Sequence, residues 1–373
     1  MLNLMLDLFN HSTEYQSLKK SLNDNVSPIL IHGSDVVALK WALQKLAMDL
    51  NRNIIVFFED ENKAKVAAEE IDEAIYLPSR EMVWFDSFAH SNQVSLERME
   101  ALIRLDRTEK GLLFTSINNL AYKYPSRTEW IEQVIELDLD TDIPLDAIQK
   151  RLFEFGYERV DIVEAKGQYS LRGGILDVFS PTYETPHRIE FFGDEVDSIR
   201  TFDIENQKSI EKLKTLKLFP CSELVLTDEL IEHTVDRLKG IRGKIKAQKR
   251  EKIDEMIEHL ETGTYVENID KYFSLIYEDG QFIYDLCDAP VICIIGNNQT
   301  TGRLKQYVEE YGRQFADYLE RGEVVSEQYG RIHTFEEIIF GLKRQDLILD
   351  ELLIKRVDYF EPAQIIKMSS REM

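Results

Sequence analysis

A strand, a loop and a helix follow one another between residues 29 and 50, an arrangement that binds phosphate in many nucleotide-hydrolysing enzymes. That chemistry needs a second glycine, a lysine that contacts the terminal phosphates and a hydroxyl that holds magnesium. The pattern begins at Gly33, but Ala38, Leu39 and Lys40 stand at the three later positions. The sequence therefore predicts a degenerate phosphate loop that does not hydrolyse ATP.

A second group of residues has the types and spacing of a recognition surface. His187 to Phe192 and Glu195 to Arg200 are predicted to form two strands joined by a tight turn at Gly193-Asp194. Side chains alternate between the two faces of a strand. Those expected on the core face are Ile189, Phe191 and Val196. Arg188 and Phe192 fall on the opposite, charged face, where an aromatic ring is unusual.

Arginine and aromatic side chains are enriched at the energetic centres of protein interfaces. We therefore expect Arg188 and Phe192 to stand together on the water-facing side of the hairpin, free to contact another protein. An alternative stays open at this stage, because a neighbouring loop or domain of the same chain could cover Phe192.

Composition narrows the class of protein. The chain has 373 residues, with 45 Lys and Arg against 68 Asp and Glu, which gives a net charge of −23. Such acidity argues against tight nucleic-acid binding over the whole surface, because phosphate contacts need clustered cations. The cysteines show no CxxC pair or zinc-ligand spacing, so we expect a reduced, cytoplasmic protein with no metal site. They are Cys221, Cys287 and Cys293. No signal peptide or membrane span is predicted.

Other residues with catalytic potential lack the spacing of a site. The histidines, His90 and His187 among them, are scattered, and the pair Glu69-Glu70 lies on a charged helix. The aromatic loop from Trp84 to Phe88 could stack on a base, although aromatic residues in such loops are more often packed.

Strands that alternate with helices over the first 125 residues predict a parallel α/β sheet. A strand-rich segment follows, and the alternation resumes near Pro290. We therefore predict one α/β domain built from both ends of the chain, with an α+β domain inserted between them. The expected divisions are residues 1–130 and 223–350 for the α/β domain, 131–222 for the insertion, and 351–373 for a linker.

Two motifs in the insertion carry a family resemblance. They are GQYSLRGGILDVF, from Gly167 to Phe179, and RIEFFGDEVDSIR, from Arg188 to Arg200. Both resemble the signature of bacterial UvrB and of the N-terminal part of the transcription-repair coupling factor family, Mfd. The degenerate loop from Gly33 to Lys40 favours the coupling factors, since UvrB keeps a working one.

The resemblance implies a degenerate P-loop NTPase-like domain, similar to UvrB domain 1 and interrupted by an α+β domain that binds UvrA. It also implies that Arg172, Arg188 and Phe192 contact UvrA and recruit nucleotide excision repair to a stalled RNA polymerase. Complete members continue into modules that bind RNA polymerase and translocate along double-stranded DNA with ATP. This sequence shows none of them, so we expect an N-terminal part with no cofactor and no catalysis of its own.

Two other functions remain open from the residues. The chain could be an active UvrB-type ATPase, against which the missing Lys and Ser/Thr argue. It could also bind DNA through the aromatic loop near Trp84 and a basic cluster, although a solvated helix face is the simpler interpretation of that cluster. The basic cluster comprises Arg237, Lys239, Arg242, Lys244, Lys246, Lys249, Arg250 and Lys252.

Overall fold

The computed structural model describes residues 6–80, 92–108, 110–245, 250–264, 269–353 and 356–368. Within them the strands are β1 (Ile29–His32), β2 (Ile54–Phe58), β3 (Ile75–Leu77), β4 (Leu112–Ser116), β5 (Ile135–Asp138), β6 (Glu158–Arg159), β7 (Gln168–Arg172), β8 (Ile175–Val178), β9 (His187–Phe192), β10 (Glu195–Phe202), β11 (Ser209–Leu213), β12 (Thr215–Leu218), β13 (Val291–Ile294), β14 (Asp346–Glu351) and β15 (Gln364–Lys367). The α-helices are α1 (Thr13–Asn23), α2 (Val36–Leu50), α3 (Glu61–Glu69), α4 (Asn92–Asp106), α5 (Leu145–Glu154), α6 (Asp228–Lys244), α7 (Glu251–Thr262), α8 (Phe273–Ile276), α9 (Asn297–Arg321) and α10 (Phe335–Leu342).

The larger sheet has seven parallel strands in the order β15-β1-β14-β13-β2-β4-β3. Its strands are apolar runs such as IIVFF in β2, all five residues of which are buried. Continuous apolar runs are typical of parallel strands covered on both faces. The predicted parallel α/β sheet is confirmed, and its strands come from both ends of the chain.

Helices cover both faces of this sheet. Helices α1, α2 and α3 pack on one face, and α4, α9 and α10 pack on the other. Helix α2 begins where the Asp35 carboxylate accepts a hydrogen bond of 2.8 Å from the Val37 amide, which satisfies one of the unpaired donors of the first turn. Its inward face comprises Leu39, Leu43 and Leu46, as the three- and four-residue spacing predicted.

The second sheet has six strands in the order β11-β10-β9-β8-β7-β6 and is antiparallel except between β6 and β7. Its inward face does not enclose a separate core. Leu176, Ile189 and Val196 belong to the same continuous cluster of buried side chains as Ile55 and Phe57 of β2. The two sheets are therefore joined by shared apolar packing.

The segment that contains the basic cluster includes two helices, α6 and α7. They pack together with α8 around a smaller core that includes Leu238, Met256 and Phe273. In the described part of the chain, no helix combines the length and the apolar character that a bilayer crossing requires.

Candidate protein-docking surface

The β9–β10 hairpin has the pairing predicted at its turn. Phe192 lies opposite Glu195, and Phe191 lies opposite Val196. Beyond Val196 a bulge shifts the register, so that Ser198 pairs with Glu190. Such a bulge adds local twist and leaves the extra residue unpaired.

The two faces of the hairpin also match the prediction. Ile189 and Val196 are buried, and Phe191 packs against the same core. Phe192 points the other way and is 81% exposed. An exposed phenyl ring loses the stabilisation that apolar burial provides. In the described structure, the interpretation that a neighbouring part of the chain covers Phe192 is therefore wrong.

Arg188 lies on the predicted face, but the expectation that its guanidinium stands free in water is wrong. Only 17% of its side chain is exposed. Its Nε and Nη2 atoms donate to the two carboxylate oxygens of Asp177 at 2.6 and 2.8 Å. Nη1 and Nη2 also donate to the backbone and side-chain oxygens of Gln207, and the guanidinium lies 4.5 Å from the centre of the Phe202 ring. Hydrogen bonding to Asp177 raises the pKa of Arg188.

Asp177 holds a second arginine. The Arg172 Nη2 atom donates to its carboxylate at 2.8 Å, and 53% of the Arg172 side chain is exposed. Register explains this meeting, since Asp177 of β8 lies directly opposite Arg188 of β9, and Arg172 is two residues past its other neighbour, Ser170 of β7. The sequence analysis missed Asp177, although the alternation within β8 places it on the face of Arg188.

The turn between β7 and β8 is placed beside Phe192 by glycine. A Cβ atom on Gly174 would lie 2.8 Å from the backbone oxygen of Phe191, and the Gly174 oxygen accepts a 2.8 Å hydrogen bond from the Phe191 amide. Gly173 adopts a φ of 61°, which favours glycine. The close approach brings Arg172 and Phe192 to the same end of the sheet.

The degenerate phosphate loop has the predicted strand–loop–helix shape but different contacts. Gly33 has a φ of 75° and follows β1, and Ala38 is half-buried on α2. Leu39 points into the core, and Lys40 is buried and forms an ion pair with Glu70. Neither side chain occupies the place of a phosphate-binding lysine or a magnesium-binding hydroxyl.

Carboxylates of the chain itself lie where an anion would otherwise bind. The Ser34 hydroxyl donates to Asp350 at 2.8 Å, and Asp350 also accepts from the Gly296 amide at 3.3 Å. The amide of Asn298, in the first turn of α9, donates to Glu351 at 2.6 Å. Burial raises the pKa of Asp350, and the hydrogen bonds from Ser34 and Gly296 oppose that rise. These contacts use up donors that a phosphate would need.

Several other residues considered as possible sites make contacts that are common in folded proteins. In the basic cluster, Lys239 pairs with Glu261 and Arg242 with Asp254, both within the α6–α7 pair. Arg237 donates to the Leu275 oxygen and Arg250 to the Ile245 oxygen. Lys244 and Lys252 line a surface hollow of 290 Å³. Lys246, Lys249, His90 and the loop from Trp84 to Phe88 lie outside the described residues. Among the described residues, no group of His, Cys, Asp or Glu could hold a metal ion.

The segment that carries this surface matches a known protein family. Residues 135–224 match the family model described as the UvrB interaction domain. The transcription-repair-coupling factor of Bacillus subtilis (strain 168) is 25% identical over 97% of this chain and 32% of its own length. Those of Staphylococcus aureus (strain bovine RF122) and Haemophilus influenzae are 29% and 24% identical over 73% of this chain and 24% of their own lengths.

The chain thus spans about a third or less of the length of these curated relatives. The family resemblance expected from the two motifs is confirmed, because the matched segment contains both. Residues 135–224 match the UvrB interaction domain, and the chain as a whole is similar to part of the transcription-repair-coupling factors, as the two motifs indicated.

Proposed function

We propose that the end of the six-stranded sheet that carries Arg172 and Phe192 docks UvrA, and that the chain recruits nucleotide excision repair to RNA polymerase stalled at a lesion. The observation that carries this proposal is the exposure of Phe192 beside Arg172, within a domain that matches a repair-interaction family. Exposed aromatic and arginine side chains held on a rigid sheet lose little conformational entropy on binding, which favours their use as interface anchors.

The proposal is tested by measuring the affinity of purified UvrA for the chain by calorimetry. Phe192→Ala and Arg172→Ala are each expected to raise Kd about 30-fold, because truncation of an interface hot spot costs about 2 kcal/mol or more. Ile210→Ala and Lys212→Ala serve as matched controls, since both residues are exposed on β11 of the same sheet. Equal affinity of all four variants and the wild type would overturn the proposed docking role.

We also propose that the seven-stranded domain is a P-loop NTPase-like fold that has lost its catalysis. Lys40 is paired with Glu70, and the carboxylate of Asp350 faces the loop, so a triphosphate would meet negative charge and find few free donors. Magnesium and ATP at millimolar concentration are therefore expected to leave the melting temperature unchanged. An upward shift with ATP that disappears on adding a chelator would favour an active UvrB-type ATPase instead.

The wider role in transcription-coupled repair depends on the segments of the relatives that this chain does not match. Contacts with RNA polymerase, and ATP-driven movement on double-stranded DNA, would belong to segments outside the matched region, and the protein would act in the cytoplasm. The division into residues 1–130, 131–222 and 223–350 stays a proposal of the same kind. The segment 351–373, expected to be a linker, contains β15, which pairs with β1 in the larger sheet. Direct DNA binding by the basic cluster is less favoured, since Lys239 and Arg242 already pair with carboxylates.

A further inference from the structure

Two side chains beside the proposed UvrA-docking residues have roles that neither the motifs nor the relatives assign. We infer that Ile175 is the central apolar anchor of the docking surface, and that Asp177 is a positioning residue that holds Arg172 against the partner. This inference rests on the proposed function and adds that Arg188 acts through Asp177 instead of contacting UvrA itself.

Ile175 lies between the two exposed hot-spot candidates. It pairs directly with Arg172 across the β7–β8 turn and with Glu190 on β9. Phe192 is two residues past Glu190 on the same face, so Ile175 and Phe192 are diagonal neighbours about 7–8 Å apart. Ile175 is 37% exposed. Arg172, Ile175 and Phe192 thus form one continuous patch with the aliphatic side chain in the middle, where interface energy concentrates.

Asp177 is buried, and within the described residues its carboxylate accepts hydrogen bonds from both arginines. Arg188 uses four donor contacts on Asp177 and Gln207. Arg172 donates a single described hydrogen bond, to Asp177, and keeps the rest of its fork directed to solvent. Arg188 and Asp177 together therefore form a support that fixes the more exposed guanidinium of Arg172.

The patch formed by Arg172, Ile175 and Phe192 fits a partner segment that carries both an apolar side chain and a carboxylate. An apolar side chain fits against Ile175 and Phe192, and a carboxylate can form a forked pair with Arg172. The neighbouring Arg200 is already paired with Glu190, so it adds no second free cation. We therefore expect UvrA to present an apolar residue next to a single carboxylate, and its affinity to fall only mildly with salt, since one exposed ion pair is screened.

The apolar anchor is tested by UvrA titration of Ile175→Ala beside Ile210→Ala, which truncates another exposed isoleucine of the same sheet. Ile175→Ala is expected to raise Kd about tenfold, and Ile210→Ala by less than about twofold. Ile175→Val, which keeps most of the apolar surface, should lie between the wild type and the alanine variant. Equal effects of the two alanine substitutions would overturn the anchor role.

The positioning role is tested with a double-mutant cycle, because a general loss of structure would add to any other substitution. Asp177→Asn is expected to raise Kd about tenfold in the wild type but less than about twofold in the Arg172→Ala background. If Asp177→Asn does not fold, as judged by its melting temperature, Arg188→Lys replaces it, since a lysine cannot form the forked pair with Asp177. An equal fold-increase in Kd on Asp177→Asn in the wild type and in the Arg172→Ala background would contradict the inference.

The two levels of the hypothesis fail in different ways. Wild-type affinity for Phe192→Ala and Arg172→Ala would remove the docking face altogether. Weakened binding by those two variants, with no effect of Ile175→Ala and an additive effect of Asp177→Asn, would keep the docking face and reject only the roles of Ile175 and Asp177.

Discussion

Replacing Glu223 by alanine is expected to lower the free energy of unfolding by about 3–5 kcal/mol, because it strands a buried arginine. Glu223 follows β12, which pairs with β5, and its carboxylate accepts from Arg98 Nε and Arg80 Nη2, each at 2.6 Å. Arg98 lies on α4 against the first sheet and is 1% exposed. Denaturant unfolding of the wild type and the variant at neutral pH measures the difference.

The size of the expected loss of stability is explained by the buried Arg98 guanidinium, whose donors are all hydrogen-bonded. Besides Glu223, Arg98 donates to the Pro78 oxygen, to the Asn119 side chain at 2.8 Å and to the Tyr124 hydroxyl at 3.0 Å. Burial raises the pKa of Glu223, but the charges and hydrogen bonds of Arg80 and Arg98 outweigh that and lower it to about 2. The carboxylate is therefore ionised at neutral pH and holds the segment after β12 against α4.

Glu136→Ala is the matched control, because Glu136 forms an exposed ion pair with Lys217. Surface pairs contribute about 0–1 kcal/mol, so this variant should unfold almost like the wild type. Glu223→Gln keeps an acceptor and loses the charge, so its stability should fall between the two. If Glu223→Ala were no less stable than Glu136→Ala, the network would not hold the segment after β12 against α4.

Acidification from pH 7.5 to 5.0 is expected to destabilise the fold through His187 and His333, by about 2 kcal/mol each. Burial lowers the pKa of both imidazoles from 6.5 to about 4. In His333, a hydrogen bond from the ring to the Gln281 oxygen opposes part of this shift. Below pH 6.5 the unfolded chain takes up protons that the folded chain refuses until about pH 4. Stability is therefore retained above pH 6.5 and is lost as the pH falls through that interval.

His187→Phe isolates half of this effect. His187 Nδ1 is buried and has no hydrogen-bond partner among the residues that the structure describes. Its ring meets the Tyr183 ring edge-on, with 4.5 Å between ring centres, so a phenyl ring fits the same contact. The variant should lose about 2 kcal/mol less than the wild type on going from pH 7.5 to 5.0 in denaturant unfolding. His233→Gln, an exposed position on α6, is the control and should follow the wild type. Identical pH dependence of His187→Phe and the wild type would refute the assignment.

The hairpin shows how far local patterning reaches. Period-two alternation and the Gly193-Asp194 turn were enough to predict that Phe191 faces Val196 and that Phe192 faces water, because both follow from strand geometry. The same reasoning could not foresee that Arg188 is held by Asp177. That contact joins two strands, and its register is set by the turn in which Gly174 meets the backbone of Phe191.

In the degenerate phosphate loop, too, some features can be predicted from the sequence and others depend on the fold. Absence of the Lys and Ser/Thr after Gly33 can be read directly from the sequence, and it already argues against ATP hydrolysis. The hydrogen bond from the Ser34 hydroxyl to Asp350 cannot be read from the sequence, since more than 300 residues separate the two side chains. Only the parallel order that places β14 beside β1 brings the two side chains together.

The amino-acid sequence was enough to predict most of the strands and helices, the parallel character of the larger sheet and the exposed ring of Phe192, because helix and strand periodicity and turn chemistry are local properties. It did not predict β15, which lies in the segment expected to be a linker. Tertiary structure decided which charges meet: Arg98 with Glu223, and Arg172 and Arg188 with Asp177. Ion pairs between distant segments depend on strand register and on the packing of sheets, and neither is encoded in the spacing of neighbouring residues.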